Sequence, residues 1–408
     1  MRIALVAGQA RPGTASPEPA GSADLPGQAA RVSSLGSTLA GLGHQVTIYA
    51  RKDSPALPRT ARLADGLTIE HLPAGPASPL AEDKLLPHMA AFSGQLAQQW
   101  QRSAPDVVHA HFWTSGLAAL AATRGLELPV VQTFHSLGSA DLRHRGSLSA
   151  SSAARVRLEG VIARSVAAVL AGSSAEMADL ARLGVRRTSI RVVPSGVDVS
   201  AFGPAGPVAR RTKRPRLLAV ASQAQDHGLD TVIRALAHIP GAELLIVGGP
   251  PRAQLSSDPV LHGLAQLAER TGVSNRVLFT GQVGAARMPA LLRSADMVVH
   301  VAMYEPFGLV PLEAMACGTP VVAAAGGSHQ DAVVDGTTGI LIPPGSPAAL
   351  ARRIRQLLAS PMLLQGYGIA AADRASTRYS WERIARETVA VYERLRAAQE
   401  APELQMAA

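Results

Sequence analysis

Across 408 residues the sequence holds one cysteine, Cys317, and aromatic side chains make up only 3%. A lone cysteine excludes an intrachain disulfide and fits a reducing compartment, so a cytoplasmic location is expected. Set in the apolar run MACGTPVV, the thiol reads as a small buried hydrophobe rather than a nucleophile. Scarce aromatics leave few platforms for stacking bases, and nucleic acid is not an expected partner. Also missing is any unbroken apolar run of about 18 residues, so no spanning helix is expected. The opening MRIALVAGQARPG is too short in its apolar part for a secretory signal and reads as a first strand.

Charge is sparse too, at 17%, against 47% hydrophobic residues, so Ala, Val and Leu must fill the core. The formal net charge of +9 favours phosphate or an anionic membrane face. Much of it is local, since ARRTKRPR (209–216) carries five basic residues and reads as a solvated connector. Arg143, His144 and Arg145 form a second basic point, expected in a mobile loop, which allows at most a weak peripheral membrane contact.

The chain is long enough for two domains at about 100 to 200 residues each. Short runs rich in Val, Ile and Leu recur: RIALVAG, HQVTIYA, LTIEHL, DVVHAHF, PVVQTF, AAVLAGS and IRVVPSG. After the basic stretch the pattern restarts with RLLAVAS, AELLIVGG, RVLFTGQ, DMVVHVA, TPVVAAA and TGILIPP. Helix-like spacing separates them, so the expected class is α/β, with two Rossmann-like, doubly wound parallel-sheet domains facing a cleft. The boundaries read as a first domain over 1–196, a linker over 197–216 and a second domain over 217–380. A C-terminal helix and tail over 381–408 should pack back on the first domain. Ligands in such sheets bind beyond the carboxyl ends of the strands.

Residues 305–318, EPFGLVPLEAMACG, place Glu305 and Glu313 eight apart in apolar surroundings. On one helix that spacing would leave the carboxylates about 80° apart and roughly 12 Å along the axis. Pro306 suits a helix start, which would make the N–H groups of Phe307, Gly308 and Leu309 an anion or hydroxyl site. An unpaired charge at Glu313 would be costly among these neighbours, so a ligand between two carboxylates is the expectation.

With DVVHAHFWTSGLAAL, VVQTFHSLG, VVPSGVDVSAF, LLIVGGP, RVLFTGQV, LLRSADMVV and VVDGTTGILIPP, this motif resembles the retaining GT-B glycosyltransferases. The group containing mycothiol glycosyltransferase and sucrose-phosphate synthase is the most similar, and the resemblance spans nearly the whole chain. It implies transfer of a hexose from a UDP- or GDP-sugar, without a metal or other cofactor, by a front-face displacement that retains the anomeric configuration. Glu305 would contact the transferred sugar, with the backbone of Phe307, Gly308 and Leu309 beside it. Glu313 would hold the ribose, and Val283 would lie near the base. His135 and Ser136 would face the donor sugar and the acceptor. His111 would line the acceptor side, and Arg155 would grip an acceptor phosphate.

The sequence also departs from the family pattern. Ser222 stands where Arg is expected and His227 where Lys is expected, so both cations that would neutralise the leaving diphosphate are replaced. In ADLPGQAARV (23–32) a Gly-Gly-x-Asn-like turn has lost one Gly to Pro26 and its Asn to Ala29. Gly27 remains as the close-approach residue, and Arg31 is placed to compensate. The lysine expected near 80–86 appears as Glu82. A small-molecule or lipid-linked acceptor fits the resemblance. A pseudoenzyme that binds nucleotide sugar without transfer, and a sugar-nucleotide epimerase, remain open as alternatives.

Overall fold

Each of the Val/Ile/Leu runs forms a strand in a computed structural model that describes residues 1–8, 25–145, 150–221, 228–302, 305 and 308–406. Contacts divide the chain into two units, Met1–Gly196 with Trp381–Ala408, and Val197–Ser380.

The first unit contains β1 (Arg2–Val6), β2 (Gln45–Arg51), β3 (Thr60–Ala64), β4 (Leu67–Leu72), β5 (Val107–His111), β6 (Val130–Thr133), β7 (Ala168–Ala171) and β8 (Ile190–Val192). They lie in the order β3-β4-β2-β1-β5-β6-β7-β8. Ile3 of β1 faces Val46 on one side and Val107 on the other, both in parallel register. The central strands are apolar without alternation because helices cover both faces.

β3 corrects the expectation of a purely parallel sheet. It pairs antiparallel with β4 at the sheet edge, joined through Asp65 and Gly66, the latter at φ 72°. Its residues are mostly exposed, so it has no apolar run by which to be found, although the Asp-Gly pair is a hairpin signal.

The second unit contains β9 (Arg216–Ala221), β10 (Glu243–Gly248), β11 (Val277–Phe279), β12 (Met297–His300), β13 (Val321–Ala324) and β14 (Gly339–Ile342). Their order is β11-β10-β9-β12-β13-β14, all parallel. The winding reverses between β9 and β12 here, and between β1 and β5 in the first unit. A crevice opens beyond the strand ends at such a switch point. Apolar clusters fill both faces of the second sheet, one around Ile233, Ile246 and Val299 and the other around Leu218, Val298 and Met315.

Two basic segments differ from expectation. Residues 209–216 count with the second unit, where Arg210, Arg211, Lys213 and Arg214 are exposed as expected and Arg216 is not. Arg216 is buried and bonds Glu243 at 2.7 Å, Arg211 meets Asp296 at 2.6 Å, and Ala209 N–H reaches Ala290 O at 2.9 Å. Arg143, His144 and Arg145 end a helix, Gly138–Arg145, and Arg143 bonds Asp179 at 2.7 Å. The C-terminal helix Trp381–Met406 counts with the first unit and inserts Tyr392 into its core. Among the described residues, no helix is long and apolar enough to cross a membrane.

Candidate functional site

In the second unit β12 ends at His300, and the chain re-enters a helix at Leu309–Ala316. Glu305 therefore precedes that helix, and the angle estimated for two glutamates on one helix does not apply. Gly308 stands at φ 64°, a left-handed conformation outside the helix that begins at Leu309. Glu305 Oε1 accepts the Gly308 N–H at 3.0 Å, so that donor is not free for a ligand as the sequence suggested. Pro311 has no N–H and Leu312 N–H bonds Gly308 O at 3.0 Å. The first turn consequently offers the N–H groups of Leu309 and Val310.

Glu305 is fixed from three sides. Its carbonyl accepts from Ser328 N–H and Ser328 Oγ, both at 2.9 Å. Gly327 lies against it at φ 57°, where an added Cβ would be 2.4 Å from Glu305 O. Oε2 faces His300 Nε2 at 3.6 Å. His300 Nδ1 is 3.0 Å from His329 Nε2, and His329 Nδ1 is 3.0 Å from Ala324 O. Both histidines are buried, and burial lowers the His329 pKa against the opposing pull of Glu305.

Glu313 is half-buried within the helix. Burial, aided by the Glu313 charge, pushes the Cys317 thiol up to about 11 and keeps it protonated. Val283 follows Gly281 and packs partly buried against the core. Ser222, His227 and Phe307 lie outside the described residues.

The first unit gathers histidines at its own switch point. His111 is the last residue of β5, and His135 lies just beyond β6. His111 Nδ1 meets His135 Nε2 at 3.0 Å, and the two rings stack at 5.2 Å. His109, two residues before His111 on the same strand face, bonds the Tyr392 hydroxyl at 2.6 Å and Thr133 Oγ1 at 2.9 Å. Burial lowers all three histidines, His111 to about 3, and the Arg31 charge adds to the effect on His135. The rings are therefore neutral near pH 7. His111 Nε2 is buried with no hydrogen-bond partner among the described residues. Phe112 and His135 hold φ values of 71° and 65°, a strained region for residues with a Cβ.

Arg155 does not present an open fork for a phosphate. Its guanidinium bonds Glu159 at 2.7 Å and Ser136 O and Oγ at 3.0 Å each, and it faces Asp141 at 3.5 Å and Glu82 at 3.7 Å. Glu159, anchored by Gly138 N–H at 2.8 Å, is raised to about 7 by burial. Glu82 also accepts from Trp113 Nε1. Three carboxyl groups thus surround one guanidinium, and Ser136 is held by the same network. Gly27, expected in a turn, falls in the helix Leu25–Gly41.

His300, His329, His109 and Tyr392 were not singled out from sequence. A signal existed for two of them. His109 shares a strand face with His111, and His300 follows the apolar run of DMVVHVA as His109 follows that of DVVHAH.

Residues 206–374 match the family "Glycosyl transferases group 1", and residues 26–201 match "Glycosyltransferase Family 4". The chain is 34% identical over 391 residues to a D-inositol 3-phosphate glycosyltransferase of Xylanimonas cellulosilytica, spanning 91% of this chain and 92% of that protein. A protein of the same name from Streptomyces bingchenggensis is 32% identical over 394 residues, covering 91% and 85%. Sucrose-phosphate synthase from Thermosynechococcus elongatus superposes with a TM-score of 0.84 at 29% identity, over 97% of this chain and 99% of that one. With these matches and two switch-point α/β sheets, the chain belongs to the GT-B glycosyltransferases of group 1, in the set that includes D-inositol 3-phosphate glycosyltransferase and sucrose-phosphate synthase.

Proposed function

We propose that the protein transfers a hexose from a nucleoside-diphosphate sugar to a hydroxyl acceptor, with retention of anomeric configuration and without a metal ion. The carrying observation is the Glu305 carboxylate, bonded by the Gly308 N–H while Ser328 holds the Glu305 backbone carbonyl, beyond the carboxyl end of β12. A carboxylate held there can accept hydrogen bonds from sugar hydroxyls, while the Leu309 and Val310 N–H groups supply donors. Glu313 holds the ribose hydroxyls, and Val283 borders the base. In the reaction the acceptor oxygen bonds to the anomeric carbon as the bond to the diphosphate breaks, and the acceptor proton passes to the departing phosphate oxygen.

The first unit supplies the acceptor side. His111 and His135 are neutral and suit hydroxyl groups better than phosphate. Because Arg155 is enclosed by carboxyl groups, an inositol phosphate is disfavoured and an uncharged acceptor, free or lipid-linked, is preferred. Arg31 is buried, and its charge acts on His135 within the first unit.

The replacement of Arg and Lys by Ser222 and His227 also favours a second reading, a subunit that binds nucleotide sugar with little transfer. Loss of two donors to a developing anion would cost about 3 kcal/mol or more, at least two decades in rate. The test is transfer from UDP-glucose and GDP-mannose to an acceptor panel, with product configuration read by NMR. A retained anomer supports the proposal, and an inverted anomer overturns it. A gain of transfer in Ser222→Arg/His227→Lys would support the second reading, while a loss would make Ser222 and His227 working parts.

A further inference from the structure

Behind Glu305 lies an ion-pair contact to His300, backed by two hydrogen bonds whose direction can be worked out atom by atom. Ala324 O can only accept, so His329 Nδ1, 3.0 Å away, carries a proton. A neutral His329 then presents the Nε2 lone pair, and His300 Nδ1 must donate to it across 3.0 Å. If His300 were also neutral, its Nε2 lone pair would point at Glu305 Oε2, 3.6 Å away, placing one acceptor against another. One additional proton at that contact resolves the conflict, and the higher intrinsic basicity of imidazole puts it on His300.

We infer that His300 and His329 are positioning residues for Glu305, with His300 held as an imidazolium that pairs with Oε2 across 3.6 Å while the Gly308 N–H bonds Oε1. The remaining lone pairs of the carboxylate then point in set directions. Glu305 keeps its negative charge for accepting hydroxyls, and His300 prevents it from turning. This inference rests on the reading of Glu305 as a sugar contact. His300 faces Glu305 and His329. His329 lies in the short helix His329–Ala332, directly after the Ser328 that binds the Glu305 carbonyl. One segment thus holds the glutamate by its backbone and, through His300, by its side chain. A histidine that gains a carboxylate partner has its protonated form favoured, so the positioning is present at lower pH and is lost as pH rises through the titration of His300.

Nitrogen-15 NMR of the histidine rings in the full chain tests the proton directly. At about pH 6.5 and above, His300 should still show both ring nitrogens protonated, and Glu305→Gln should move its titration to lower pH. A neutral His300 at about pH 6, or a titration unchanged by Glu305→Gln, would overturn the inference. Calorimetry with UDP-glucose and UDP tests the consequence. His300→Leu should weaken UDP-glucose about tenfold and leave UDP within about twofold, because only the former carries the sugar. In His300→Gln the amide N–H replaces Nε2–H without titrating. UDP-glucose affinity should therefore return and stay flat with pH, whereas in the wild type it declines at alkaline pH. Equal weakening of UDP and UDP-glucose in His300→Leu would contradict the positioning role. Failure of the wild type to bind either would count against the donor reading, while the ring spectra still decide where the proton lies.

Discussion

Gly327 shows how narrow the tolerance is around the site. A Cβ at φ 57° would stand 2.4 Å from the Glu305 carbonyl oxygen, which two Ser328 donors already hold. Gly308 is less constrained, since its nearest obstacle is the Ser328 side-chain oxygen at 2.9 Å, which can rotate. Gly327→Ala should therefore cost about 1–3 kcal/mol in urea unfolding and more than Gly308→Ala does. An equal or smaller cost for Gly327→Ala would show that the segment yields easily. At this scale the two glutamates were legible in the sequence because charges in an apolar run demand a reason. The helix start was not, because Gly308 is left-handed and its N–H is taken by Glu305, neither of which shows in the residue types. The enclosure of Arg155 was equally hidden, since Glu82 and Asp141 reach it from separate elements.

Among the elements, parallel strands buried on both faces announce themselves as apolar runs, and those runs form strands throughout. The exposed edge strand β3 has no such run and was missed. The helix Ser174–Arg182 carries a device that links structure to pH. Ser173 Oγ accepts the Glu176 N–H at 3.1 Å, and Glu176 reaches back to the Gly172 N–H at 2.7 Å. Burial raises the Glu176 pKa to about 7. Its folded value exceeds its unfolded value, so its contribution is full below about pH 4 and is lost as pH rises through about 7. That loss is on the order of 3 kcal/mol, and Glu176→Gln should flatten the fall in stability between about pH 5 and pH 8. An unchanged slope in Glu176→Gln would place the titration elsewhere. The buried neutral histidines of β5 and β6 act in the opposite sense. Their folded pKa values are depressed, so stability falls as pH drops below about 6.5.

The whole molecule repeats one plan, two sheets that each reverse their winding beside the first strand. In the first unit this gathers neutral histidines beyond β5 and β6, and in the second a braced glutamate beyond β12. Of the basic run at 209–216, Arg216 is buried on Glu243, while Arg211 stays exposed and meets Asp296. Composition counts charges without showing their partners. The central claim is that the second unit binds a nucleoside-diphosphate sugar through Glu305 and Glu313. Calorimetric titration with UDP, GDP, ADP and their glucose and mannose forms, without metal, tests it most directly. The account predicts micromolar binding of one nucleotide sugar, weakened about tenfold in Glu313→Ala by loss of a charged hydrogen-bond acceptor. No binding by any of them, or binding that Glu313→Ala leaves unchanged, would contradict it.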